Sequence, residues 1–158
     1  MKAFYEAFDE LQAEKVEGVS CRKGCHFCCR INVTISQDEA AVIAQYCKVH
    51  NISISKEYLE EQLRYGWKEI ASTPAGWCAF LKNGQCSIYS ARPMACRKYH
   101  VASAPELCDT VRFPSSEGHR VSIPVFTVPE IEASAFYAVV DKVGKSGRLP
   151  EMLLPFSK

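Results

Sequence analysis

The chain has 158 residues, 47% of them hydrophobic, which suits one compact domain with a modest core and leaves too little chain for two independent ones. A formal net charge of +1 and a pI near 7.5 exclude a bulk electrostatic basis for binding nucleic acid or a membrane surface. The N-terminal stretch carries acidic residues throughout, lacks the apolar core of a signal peptide, and is followed by no run of the roughly 18 apolar residues that a membrane span needs. The expectation is a cytoplasmic protein without membrane or nucleic-acid partners.

In chain order, Ala3, Phe4, Ala7, Phe8 and Leu11 fall at helical spacing, predicting an amphipathic helix from Lys2 to about Glu17, with Gly18 as its stop. A cysteine-rich stretch, Ser20–Arg30, precedes Ile31–Ile35, which alternates like a short extended segment. Ser36 to Glu39 is a capping-box pattern, and the helix it opens runs to about Val49. A third helix begins at Ser55 and continues through Leu59 and Leu63 toward Ile70, before Pro74 and Gly76 break the chain. Lys82-Asn83-Gly84-Gln85 predicts a hairpin turn between the segments bearing Cys78 and Cys86. Pro93 suits the first turn of a short helix through Met94, Cys96 and Tyr99. Residues 101–120 read as loop and Val121–Val128 as extended. Pro129 opens a last helix through Ile131, Phe136 and Val143, and the proline-split tail Leu149–Phe156 reads as an extended apolar strip. Together these elements predict a mainly α fold with a small β-hairpin, one domain over residues 1–158 organised around cysteine-ligated metal.

Nine cysteines carry that last expectation. In a reducing compartment disulfides are disfavoured, so clustered cysteines point to metal or redox chemistry. Eight form two groups: Cys21, Cys25, Cys28 and Cys29 within nine residues, and Cys78, Cys86, Cys96 and Cys108 spread over the hairpin, the short helix and a loop. Cys47, inside the second helix, reads as a small buried apolar residue. Crowded thiolates repel and raise one another's pKa unless a cation neutralises them, so the eight are candidate metal ligands. Arg22, Lys23, Arg30, Arg92, Arg97 and Lys98 flank them and are placed to offset their negative charge, or simply form a solvated face. Adjacent side chains such as Cys28 and Cys29 diverge in an extended segment. The favoured arrangement therefore has Cys21, Cys25 and Cys28 recruiting one distal thiolate while Cys29 turns toward the others; the rival is two separate four-cysteine sites, one per group. A single Cys-x2-Cys pair is fewer than structural zinc usually uses, and the 3-and-2 spacing suits a cluster loop, which favours an iron–sulfur cluster with zinc as the alternative. His26, His50, His100 and His119 are possible nitrogen ligands, His26 and His100 the better placed.

The run Cys21-Arg-Lys-Gly-Cys25-His-Phe-Cys28-Cys29, followed by Cys86-Ser-Ile-Tyr89-Ser-Ala-Arg92-Pro93-Met-Ala-Cys96-Arg97, resembles the YkgJ-type cysteine-cluster family of zinc- or iron-chelating CxxCxxCC domains. The resemblance spans about residues 20 to 110 and departs in its first interval, where three residues stand between Cys21 and Cys25 rather than two. It implies metal chelation and little more; for a metal-binding module of this kind the expected work is metal handling, electron transfer or presentation of a surface to a protein partner. A flagellin lysine methylase carries a similar cluster, which keeps a metal-dependent enzyme such as a methyl transferase as an alternative. Cys21, Cys25, Phe27 and Cys28 also satisfy the radical S-adenosylmethionine pattern. The chain is short for that fold, and it lacks alternating strands and helices or a glycine-rich cofactor stretch. A thiol redox switch in which Cys28 and Cys29, or a distal pair, cycle through disulfides is the third reading. No nucleophile elbow or phosphate-binding glycine loop is present, and Trp67, Trp77, Tyr89 and Tyr99 read as core or rim aromatics.

Overall fold

The computed structural model describes residues 2–15, 18–67, 69–113, 124–125 and 144–158. Helix α1 (Lys2–Lys15) opens the chain and buries Tyr5 and Phe8. The predicted face is thus rotated: Ala3 and Ala7 are exposed, because the large rings bury more apolar surface than the two methyls. Strand β1 (Thr34–Ser36) runs straight into helix α2 (Gln37–Val49). The capping box forms as its sequence predicts: the Ser36 hydroxyl accepts from Glu39 N–H, and the Glu39 carboxylate accepts from Ser36 N–H.

Helix α3 (Lys56–Leu63) starts from the Ser55 cap and ends before the predicted Ile70. The chain turns at residues 64–66, and Ile70 is buried in a separate 3-10 turn, Ile70–Ser72. A second such turn, Pro74–Gly76, packs so closely that a side chain at Gly76 would meet the Ile70 carbonyl at 2.5 Å. Strands β2 (Leu81–Lys82) and β3 (Gln85–Cys86) form the predicted hairpin, with Asn83 and Gly84 both at positive φ. Helix α4 (Met94–Arg97) follows Pro93 and is a single turn that stops short of Tyr99. Strand β4 (His100–Val101), in the stretch predicted as loop, pairs antiparallel with β5 (Pro124–Val125), which falls within the predicted extended segment. The predicted helix from Pro129 to Val143 lies outside the described residues.

Strand β6 (Ser146–Arg148) pairs antiparallel with β1, Ile35 opposite Gly147. The tail then departs from expectation. Leu149–Leu153 is helix α5 and Leu154–Phe156 a 3-10 turn, because each proline sits in a first turn, where its missing N–H costs nothing. Five α-helices and three two-stranded antiparallel ladders are thus present among the described residues. None of those helices is long and apolar enough to cross a membrane.

Ile35, Ile43, Leu59, Phe80, Ile88 and Leu153 form the main core between α2, α3, α5 and the hairpin, and Cys78 and Cys86 pack on its edge. A smaller cluster of Tyr5, Phe8 and Met94 seats α1 against α2 and α4.

Candidate metal centre

Short, sharply turning segments carry the eight clustered cysteines. Gly24, at φ +93°, permits the turn in which Cys25 N–H donates to the Arg22 carbonyl. A 3-10 turn, Phe27–Arg30, carries Cys28 and Cys29. Cys78 N–H donates to the Cys29 carbonyl at 2.8 Å, which ties the first group directly to the hairpin segment. Cys86 closes the hairpin, Cys96 lies on α4, and Cys108 ends a 3-10 turn, Pro105–Cys108, packed against the Phe27–Arg30 turn. Ser20 N–H donates to the Val101 carbonyl and the Cys21 sulfur lies 3.8 Å from the Tyr99 carbonyl, so Cys21 runs beside β4.

The sulfurs converge on Cys28. Cys28 shares a hydrogen bond with Cys29, which pushes the Cys29 thiol up and holds Cys28 lower. The tight turn therefore brings the pair together, in place of the divergence expected for an extended segment. A second influence on Cys29 is burial, followed by the charges of Cys78, Cys28 and Cys96. Burial pushes the Cys78 thiol up to about 12, with Cys86 and Cys28 adding to it. Cys96 is exposed as a residue, yet the protein atoms crowded around its sulfur, then Cys78, Cys28 and Cys86, push its thiol up as well. Cys108 rises to about 11 through burial and the charges of Cys28, Cys21 and Cys25. Cys28 is thus the shared neighbour: its charge acts on Cys25 and Cys108 and also on Cys78, Cys86 and Cys96, while Cys29 lies beside Cys28, Cys78 and Cys96.

This donor set fits a soft cation. None of the clustered thiols is in a disulfide, and at Cys25, Cys29, Cys78, Cys86, Cys96 and Cys108 deprotonation without a cation is opposed by burial or by neighbouring sulfurs. Three sulfurs also receive an amide N–H from two residues further on: Cys25 from Phe27, Cys78 from Phe80, and Cys86 from Ile88. Such donors favour the thiolate, the form a metal binds. Arg92 lowers Cys86 and Cys96, and Arg22 lowers Cys25, as the flanking positive charge predicts. Among the described residues no three Cys, His, Asp or Glu side chains are closed around a common point in ligand geometry.

Other predicted candidates have different surroundings. The His26 ring stacks on Phe27 and lies against Gly84 of the hairpin, and His50 packs on Tyr46 at 4.1 Å. His100 is on β4, and His119 lies outside the described residues. Arg30 lies 4.2 Å over Trp77 and donates to the Ala71 carbonyl. Arg97 is buried and bonded to Asp9 and to the Ser90 and Arg92 carbonyls. Cys47 is buried in the main core, as its apolar reading predicts. Sequence reasoning missed Tyr5, Asp9 and Glu39, which meet behind α4. Glu39 was visible as a capping residue, but nothing in one sequence signals its contacts with residues 34 and 55 positions away.

The family model CxxCxxCC, described as "Putative zinc- or iron-chelating domain", matches residues 20–117, which takes in both cysteine groups. The chain belongs to the CxxCxxCC family. The match runs from just before Cys21 to beyond Cys108, so the family's description covers all eight clustered thiols, and metal chelation is the general property it carries. No curated protein and no solved structure matches the chain.

Proposed function

We propose that this CxxCxxCC protein holds an iron–sulfur cluster or zinc through its eight clustered cysteines. Cys21, Cys25, Cys28 and Cys108 form one ligand set, and Cys29, Cys78, Cys86 and Cys96 the other. The observation that carries the reading is the gathering of sulfurs from separate segments around the Cys28–Cys29 turn. The three amide N–H groups aimed at sulfurs support it: hydrogen bonds to thiolate ligands tune cluster potential and steady the ligands. When bound, the metal supplies either a rigid cross-link between the N-terminal loop and the hairpin or an electron-transfer centre. This chain's residues place the thiolates, shield Cys78 and Cys108, and offset charge through Arg22 and Arg92. Metal handling or electron transfer in a reducing, cytoplasmic setting is the role this chemistry suits.

The test is anaerobic purification followed by elemental analysis and a visible absorption spectrum. Iron and sulfide in stoichiometric amounts with a broad visible band are expected for a cluster. Colourless protein with zinc selects the alternative. Absence of both metals overturns the reading.

A second reading, a metal-dependent enzyme, is favoured by one feature. A cavity of about 900 Å³ opens between α1 and α2 and is floored by Tyr89, Ala91, Arg92 and Arg97, the segment that also carries Cys96. That volume is in the range of small-molecule sites. X-ray absorption on the loaded protein separates the two readings: four sulfur ligands per metal favour structure or electron transfer, and a position without sulfur favours catalysis.

A further inference from the structure

Glu39 is only 1% exposed and stands where α1, α2 and α4 meet. As a capping-box residue it needs only to accept the Ser36 N–H, which its Oε2 does at 2.9 Å. Its Oε1 does more. It accepts the Tyr5 hydroxyl at 2.9 Å and Met94 N–H at 2.7 Å. Met94 is the first residue of α4, two before Cys96, and its amide has no partner within so short a helix. At the other end of α4, buried Arg97 donates to the Ser90 and Arg92 carbonyls and to Asp9 of α1, and lies 4.2 Å over the Tyr5 ring. A four-residue helix has no stability of its own, so these outside contacts fix where it stands. A buried carboxylate accepting a backbone N–H is a strong, directional restraint.

We propose that Glu39 is the positioning residue for Cys96: by holding Met94 N–H it sets α4 where the Cys96 sulfur joins Cys29, Cys78 and Cys86, with Tyr5 of α1 completing the clamp. The proposal rests on the metal-binding reading above.

The test is cobalt(II) titration of the reduced, metal-free full chain, followed by the sulfur-to-cobalt absorption and by competition with a chelator. Circular dichroism on the same samples reports the fold. Glu39→Gln is expected to weaken cobalt binding about ten- to a hundred-fold, the loss usual for a group that orients a ligand. Tyr5→Phe is expected to weaken it by a smaller factor. Ser55→Ala removes the α3 cap, a comparable loss to the fold remote from α4, and is expected to leave cobalt affinity unchanged. Wild-type affinity in Glu39→Gln overturns the proposal, as does an equal loss in Ser55→Ala, which would make the effect one of stability alone. Should Glu39→Gln fail to fold, Tyr5→Phe decides, and unchanged affinity in it overturns the proposal. Wild-type protein that binds no cobalt overturns the metal-binding reading itself, a result distinct from any difference between variants.

Discussion

Two kinds of cysteine stand within one small chain, and what surrounds each sulfur separates them. Cys25, Cys78 and Cys86 each have an amide N–H aimed at the sulfur and other thiols nearby. Cys47 sits among Ile43, Leu59 and Leu153 in the main core, where burial pushes its thiol up and the charge of Lys82 pulls it slightly back. Conservative Cys→Ser changes should therefore split cleanly. Cys21→Ser or Cys25→Ser is expected to lose metal and solubility together. Cys47→Ser is expected to keep full metal content and lose about 1–2 kcal/mol of stability, because its hydroxyl is buried among apolar side chains. Elemental analysis and denaturant unfolding read the two effects separately, and metal loss in Cys47→Ser would contradict this division.

At the scale of elements, what could be read from the sequence depended on how local the deciding interaction was. The α2 capping box, the Asn83-Gly84 hairpin and the Ser55 cap each satisfy their backbone groups within four residues, so their residue types announce them. The rotation of α1 is set by its packing on α2 and Met94, and its own periodicity could not reveal which stripe those partners would cover. The tail misled for a subtler reason. Pro150 and Pro155 look like interruptions of one segment, yet each opens a new turn. The candidate site follows the same rule. Both cysteine groups were plain from composition and spacing, as was the chance that they share a centre. The closeness of Cys28 and Cys29 was not, because it depends on a 3-10 turn between residues with weak preference for one. Glu39 and Tyr5 are joined to α4 only by the tertiary fold.

Across the molecule, the gathered thiols make stability and metal affinity respond oppositely to pH. Burial chiefly raises the Cys78 thiol to about 12 and the Cys108 thiol to about 11, against an unfolded value of about 8.5. Between those values the unfolded chain has released protons that the metal-free native state still holds. Stability of the metal-free protein is thus present below about pH 8.5 and declines as pH rises toward the folded values. Its melting temperature is expected to fall from about pH 7.5 to about 9.5, whereas chelator competition should show metal held more tightly over that range, since binding displaces protons. A melting temperature that climbs with pH would contradict the thiol environments described. The Cys28–Cys29 turn carries a further consequence. In the proposed arrangement one backbone segment would supply a ligand to each of the two sets, so the first ion to bind would freeze the geometry the second requires. Loading should be cooperative. At half-saturating metal, native mass spectrometry is expected to show empty and doubly loaded chains with few in between, and a dominant singly loaded species would mean that the two halves of the turn act independently.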